Sequence, residues 1–140
     1  MSVLTAVYAK TVADATITAI IGTRCYPDVA PTSSALPYVV IQQITKTHEH
    51  NMTAATGIAR THLQVDVYGA TRSATETLAD AIRTEWDGYR GTTGSVVMRS
   101  AIIESERDAW DWIGAGNEDV THRTVMELYV WHAETVPTFP

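Results

Sequence analysis

Apolar and polar positions recur with two different periods along this chain, and the changes of period mark its elements. From residue 2 to 20, Leu4, Val7, Tyr8, Ala15 and Ala19 repeat at near-helical spacing, which predicts a helix. The β-branched run Thr16, Ile17, Thr18 weakens the pattern near its end, and Gly22 stands where a C-terminal cap belongs. Pro27, Pro31 and Pro37 follow, with TSSAL between the last two. Prolines at this density forbid helix and favour an extended, turn-rich crossing. Residues 38–47 are rich in Tyr, Val, Ile and Thr and read as a strand with apolar residues on both faces. The next stretch, HEHNMTAATGIA, is polar and small, and reads as a hairpin tip or a loop. Residues 61–68 then alternate cleanly: Leu63, Val65 and Val67 face one way, and His62, Gln64, Asp66 and Tyr68 the other. That is a strand with one face on a core.

Residues 72–89 carry the strongest helical pattern. Ser73 and Glu76 fit a capping box, and Ala74, Leu78, Ala81, Ile82, Glu85, Trp86 and Tyr89 share a face that only Glu85 makes polar. Gly88, Gly91 and Gly94 end it. Residues 96–104 read as a third strand and ERDAWDWIGAGNEDV as a loop or edge region. Residues 122–132 form a fourth strand, with Met126, Leu128 and Val130 on one face and Val125, Glu127, Tyr129 and Trp131 on the other. The tail VPTFP is expected to be extended. Neither a repeat nor a linker divides the chain. The order helix, strand, strand, helix, strand, strand, with short links between successive strands, predicts an α+β fold in a single domain over residues 1–140. Its sheet is mainly antiparallel, with about four strands and two helices packed on one face.

Composition narrows the class. The 140 residues are 45% hydrophobic and 19% charged, an ordinary globular balance with room for a core. No apolar run approaches the roughly 18 residues of a membrane span, and MSVLTAVYAKTVADAT lacks a basic start and has its apolar run interrupted by Lys10, which disfavours a signal peptide. The single Cys25 excludes an internal disulfide and a Cys-based zinc site, and suits a reducing cytoplasm. The formal charge is −6, without any run of basic residues, so the chain is a poor candidate for gripping nucleic acid.

Candidate chemistry is sparse. His48, Glu49 and His50, with His62 or His122, suggest a metal site; a polar hairpin tip explains them more simply. Cys25 lacks a local nucleophile signature. Asp108, Asp111, Glu118 and Asp119 do not follow the order of a calcium loop. GYRGTTG follows a helix, so it cannot set a helix N-terminus on a phosphate. No motif calls for a cofactor. Trp110 and Trp112, split by Asp111, would point one way from an extended segment. They are either a local cover over the sheet or anchors of an interface.

Three blocks carry a resemblance: IIGTRCYPDVAP followed by LPYVVIQQI; RTHLQVDVYGATRSATETLADAIRTEWDG; and VTHRTVMELYVWH. In this order and spacing the chain resembles the tail-completion or tail-terminator proteins of long-tailed phages and gene-transfer agents. The HEHNMTAATG and WDW stretches depart from the family pattern. The resemblance implies a non-enzymatic virion protein, assembled in the host cytoplasm, that forms a ring of six copies of itself. The ring caps the head-proximal end of the tail tube, meets the tail-tube protein and the head-connector or neck proteins, and lets genomic DNA pass without specific binding. It implies no membrane and no cofactor. The acidity then has two readings, solubility or a lumen that repels phosphates. Assembly contacts are expected on the 48–59 and 105–119 segments and the tail, with His48, His50, Asn51, Met52, Trp110, Asp111, Trp112 and Phe139 as the residues concerned. Rival readings are another neck component, a small enzyme, or an unrelated cytoplasmic ligand-binding domain.

Overall fold

A computed structural model describes residues 2–31, 34–113 and 119–139, and for 111–113, 119 and 120 the backbone alone. Its elements are helices α1 (Val3–Ala13), α2 (Ala15–Ile21) and α3 (Arg72–Trp86), and strands β1 (Cys25–Pro27), β2 (Tyr38–His50), β3 (Ala55–Gly69), β4 (Gly91–Thr93), β5 (Val96–Ile113) and β6 (Asp119–Ala133). They build one six-stranded sheet in the order β1-β2-β3-β6-β5-β4. Every pairing is antiparallel except β1 with β2, which is parallel.

The α+β class and the mainly antiparallel sheet are as expected; the element count is not. The N-terminal helix is two helices bent by 82° at Asp14. The break falls at Asp14 rather than in the β-branched run, because this residue is extended and its carboxylate accepts the Ile17 amide at 2.9 Å. It thus caps a new helix. Gly22 does cap the end, at φ 60°. In α3 the N-cap is Thr71, whose hydroxyl accepts from the Ala74 amide, so Ser73 and Glu76 form no capping box. Glu76 instead accepts from Arg72 one turn earlier at 3.0 Å. The helix stops at Trp86, three residues short of expectation, and Asp87 ties its end to β5 by accepting the Ile103 amide. The buried stripe is Thr75, Leu78, Ala79, Ile82 and Trp86; Ala74 is exposed, and Ala81 and Glu85 are half-buried. Glu85 is tolerated on that face because Lys10 of α1 pairs with it.

Two strands missed in the sequence are short edges. β1 lies in the proline-punctuated crossing, where Pro27 ends an edge strand at no cost to the ladder. The two presumed loops are largely strand: β2 and β3 continue to a turn at 51–54, and β5 and β6 run on past Glu104 to Ile113 and back from Asp119. Alternation reports burial of one face, so a strand that outruns its core loses the signal while keeping its ladder.

Cross-strand rows define two faces. Val39, Val67 and Thr124 align, as do Ile41, Val65 and Met126, and Gln43, Leu63, Leu128 and Ile103. Most of these residues, with Val7, Ile17, Ile21, Leu78, Ile82 and Trp86, form one core, so all three helices cover this face. Gly69 closes β3 under α3: a Cβ there would stand 2.5 Å from the Thr75 hydroxyl. The opposite face carries no helix. It is knitted by polar and aromatic contacts: Tyr38 stacks on Tyr68 at 4.6 Å, and His62 on Tyr129 at 4.4 Å. Asp66, only 4% exposed, takes an ion pair from Arg123 at 3.3 Å.

Replacing Ile82 by Ala should lower the unfolding free energy in urea by about 2–5 kcal/mol. Replacing exposed Ile44 by Ser should change it by no more than about 0.5 kcal/mol. Equal losses at the two positions would contradict this division of core from overhang.

Candidate assembly surface

The sequence-predicted residues do not make one patch. His48 and His50 end β2, and Asn51 and Met52 begin the turn beyond it. Asn51 builds that turn: its side-chain oxygen accepts the amides of Thr53 and Ala54 at 2.9 and 2.8 Å, and its own amide donates to the Ala54 carbonyl. The tail runs beside the same hairpin, where Glu134 donates its amide to the Gly57 carbonyl. Met52 and Phe139 are almost wholly exposed, and Ile44, Ile58 and Val136 partly so.

Trp110, Asp111 and Trp112 lie in β5 at the far end of the sheet. The register places them there: Ala59 pairs with His132 beside Met98, whereas Gly69 pairs with His122 beside Trp110. Ten residues of β3 separate those rows, or about 33 Å. Trp110 is 56% exposed, and its side of β5 faces the start of α3. A cleft of about 170 Å³ lies between them, lined by Arg72, Thr75, Asp108, Trp110, His122 and Thr124. Thr124 donates to Asp108 at 2.9 Å, and Arg72 approaches it at 3.7 Å. Asp111 and Trp112 have side chains outside the described residues, as does Glu118 entirely.

The imagined metal ligands are separated. His48 meets Glu134 at 2.7 Å, His62 lies under Tyr129 on the helix-free face, and His122 is at the other end. Among the described residues no three His, Cys, Asp or Glu groups could hold an ion. Burial pushes the Cys25 thiol up to about 12, which leaves it without thiolate character. No described single helix is long and apolar enough to cross a membrane.

Two clusters had no sequence signal except a charge in an apolar stripe. Burial raises the Glu85 carboxyl, and its hydrogen bond to Asp14 holds Asp14 below the usual carboxylate range while Lys10 sits over Tyr89. Near the β2–β3 turn, His132 is 2% exposed and its Nε2 bonds the Thr61 hydroxyl at 2.8 Å. Burial lowers its pKa below the ordinary 6.5. Beside it, partial desolvation pushes Glu134 up, but the hydrogen bond and charge of His48, with Lys46, outweigh this and leave its pKa lowered.

A family model for tail completion protein gp17 matches residues 5–132. No curated protein matches the chain. Among solved structures, a chain from the virion of a native gene transfer agent (GTA) particle is 19% identical and covers 94% of this chain and 95% of its own, at a TM-score of 0.73. A second solved chain is 13% identical over 98% of this chain and 96% of its own, at a TM-score of 0.53. At these identities the two structures show likeness of fold.

His132 predicts a pH dependence whose sign follows from its lowered pKa. The unfolded chain binds a proton at His132 more readily than the folded chain does, so the contribution is complete above pH 6.5 and is lost as pH falls below it. Glu134 adds a second loss at lower pH, below its ordinary 4.5. Thermal melts should therefore show stability declining from pH 7 toward 5, with a shallower decline in His132→Gln. Identical pH slopes for the two proteins would contradict the assignment.

Proposed function

The chain belongs to the tail completion protein gp17 family, and from that membership we propose that copies of it close a ring, of six subunits, on the head-proximal end of a tail tube. The family is one of structural virion proteins, and the chain's place is in the virion, at the tail and neck. The ring stops tube growth and offers its other face to the connector below the head. Its partners are copies of itself, the tail-tube protein and the neck proteins, and genomic DNA slides through its lumen.

The family match over residues 5–132 carries this reading. The architecture supports it. Two hairpin arms leave opposite ends of one rigid sheet, so contacts made through them are heterologous, and heterologous contacts close into rings when the rotation allows. The exposed apolar residues Met52 at one end, Trp110 at the other and Phe139 in the tail are the surface features such contacts would cover. We assign assembly to these three with His48, His50, Asn51, Asp111 and Trp112. In the cleft at Trp110 the one carboxylate, Asp108, is already hydrogen-bonded by Thr124, as a structural group would be.

Virions made without this gene should carry tails of irregular, extended length when imaged by electron microscopy. Full heads beside detached tails of normal length would point instead to a joining role in the neck. A chain lacking residues 51–57 should still fold but give no infectious particles; normal infectivity would remove the β2–β3 turn from assembly.

A further inference from the structure

The sheet has two incompletely covered edges, on opposite sides and at opposite ends. On one side β1 pairs with β2 only at Val39, Val40 and Ile41, so the outer side of β2 from 43 to 50 has no strand beside it among the described residues. On the other side β4 pairs with β5 only at Val96, Val97 and Met98. The segment after Trp86 covers β5 a little further, through the Gly88 amide to Ala101 and the Ile103 amide to Asp87. Beyond that, β5 from 104 to 109 has no neighbouring strand on its outer side among the described residues. A row of unpaired amides and carbonyls on a long edge is a template for another strand.

We propose that neighbouring copies in the ring join by pairing the outer edge of β2 in one subunit with the outer edge of β5 in the next, which makes the sheet continuous across the joint. This rests on the ring reading and specifies its contact. Strand direction allows it. The order β2-β3-β6-β5 is antiparallel throughout, so β2 and β5 of one copy run oppositely, and a following copy in the same orientation presents β5 antiparallel to β2. The offset between the two edges shifts each copy along its strands, so the strands tilt against the ring axis as they do in a barrel.

Charge favours this partner over β2 with β2 or β5 with β5. Residues 43–50 carry Lys46 against Glu49, with His48 and His50. Residues 104–113 carry Glu104, Glu106, Asp108 and Asp111 against Arg107. Two β5 edges would bring like charges together, whereas the β2 edge offers a lysine and two imidazoles to the acidic strand. Glu104 and Glu106 are exposed, and Lys46 has only a long 3.8 Å contact with Glu134. Bulges at Gln43/Thr45 and His48/His50 leave 45–48 as the regular part of the β2 edge, and the bulge at Ile103/Ser105 lies where the uncovered part of β5 begins.

The test uses the full chain at low salt, read by light scattering and amide hydrogen exchange. Glu104→Lys with Glu106→Lys, and separately Lys46→Glu with His50→Glu, should each weaken self-assembly by about tenfold or more. An equimolar mixture should regain it, since each altered edge then meets its complement. In the assembled wild type, amides of 43–50 and 104–109 should gain protection relative to the dissociated chain. Folded variants that assemble like wild type, a mixture that stays apart, or protection confined to the helices would overturn edge pairing while leaving the ring intact. A wild-type chain that stays monomeric at every concentration would overturn the ring and this joint together.

Discussion

Burial of one sheet face under three short helices is the constraint from which the rest of the molecule follows. A strand advances about 3.3 Å per residue and a helix 1.5 Å. The 15 residues of β3 therefore span about 50 Å, whereas the 15 residues of α3 span about 22 Å. The helices cannot cover the strands they pack on. The core sits under the middle of the sheet, where Leu63, Val65 and Val67 meet Leu78, Ile82 and Trp86. At both ends the ladder continues without a helical roof, and those overhangs are the arms.

The overhangs also explain why the helix-free face looks as it does. Without a second layer of helices, that face covers itself with stacked rings and paired charges: Tyr38 on Tyr68, His62 on Tyr129, and Arg123 against Asp66, with Val40 and Val125 buried in the same row as Asp66. Arg60 and Arg123 lie over Tyr129 and Tyr68.

Much of the fold was legible because burial leaves a period. The alternation at 61–68 and 122–132 gave strands whose inward residues are those in the core, and the stripe around Leu78, Ile82 and Trp86 placed α3 against them. What was not legible had no burial to report. Residues 48–58 are polar and small with none of them buried, so the stretch read as loop although it is mostly strand. The split of the first helix turns on one capping carboxylate, Asp14, which no periodicity reveals. Of the residues we propose for assembly, His48, His50, Asn51 and Met52 lie together at one hairpin, and their distance from Trp110 depends on strand register, which sequence spacing alone does not supply. Glu134 and His132 were missed because their partners lie more than 70 residues away in sequence.

We propose that copies of this chain meet through the overhanging ends of their sheets around a hollow axis. Cryo-electron microscopy of the tail end of the virion tests it most directly. An annulus of this chain is expected, with β2 of each copy against β5 of the next and the helices away from the joint. A single copy at the tail end, or an annulus whose copies touch only through their helices, would contradict it.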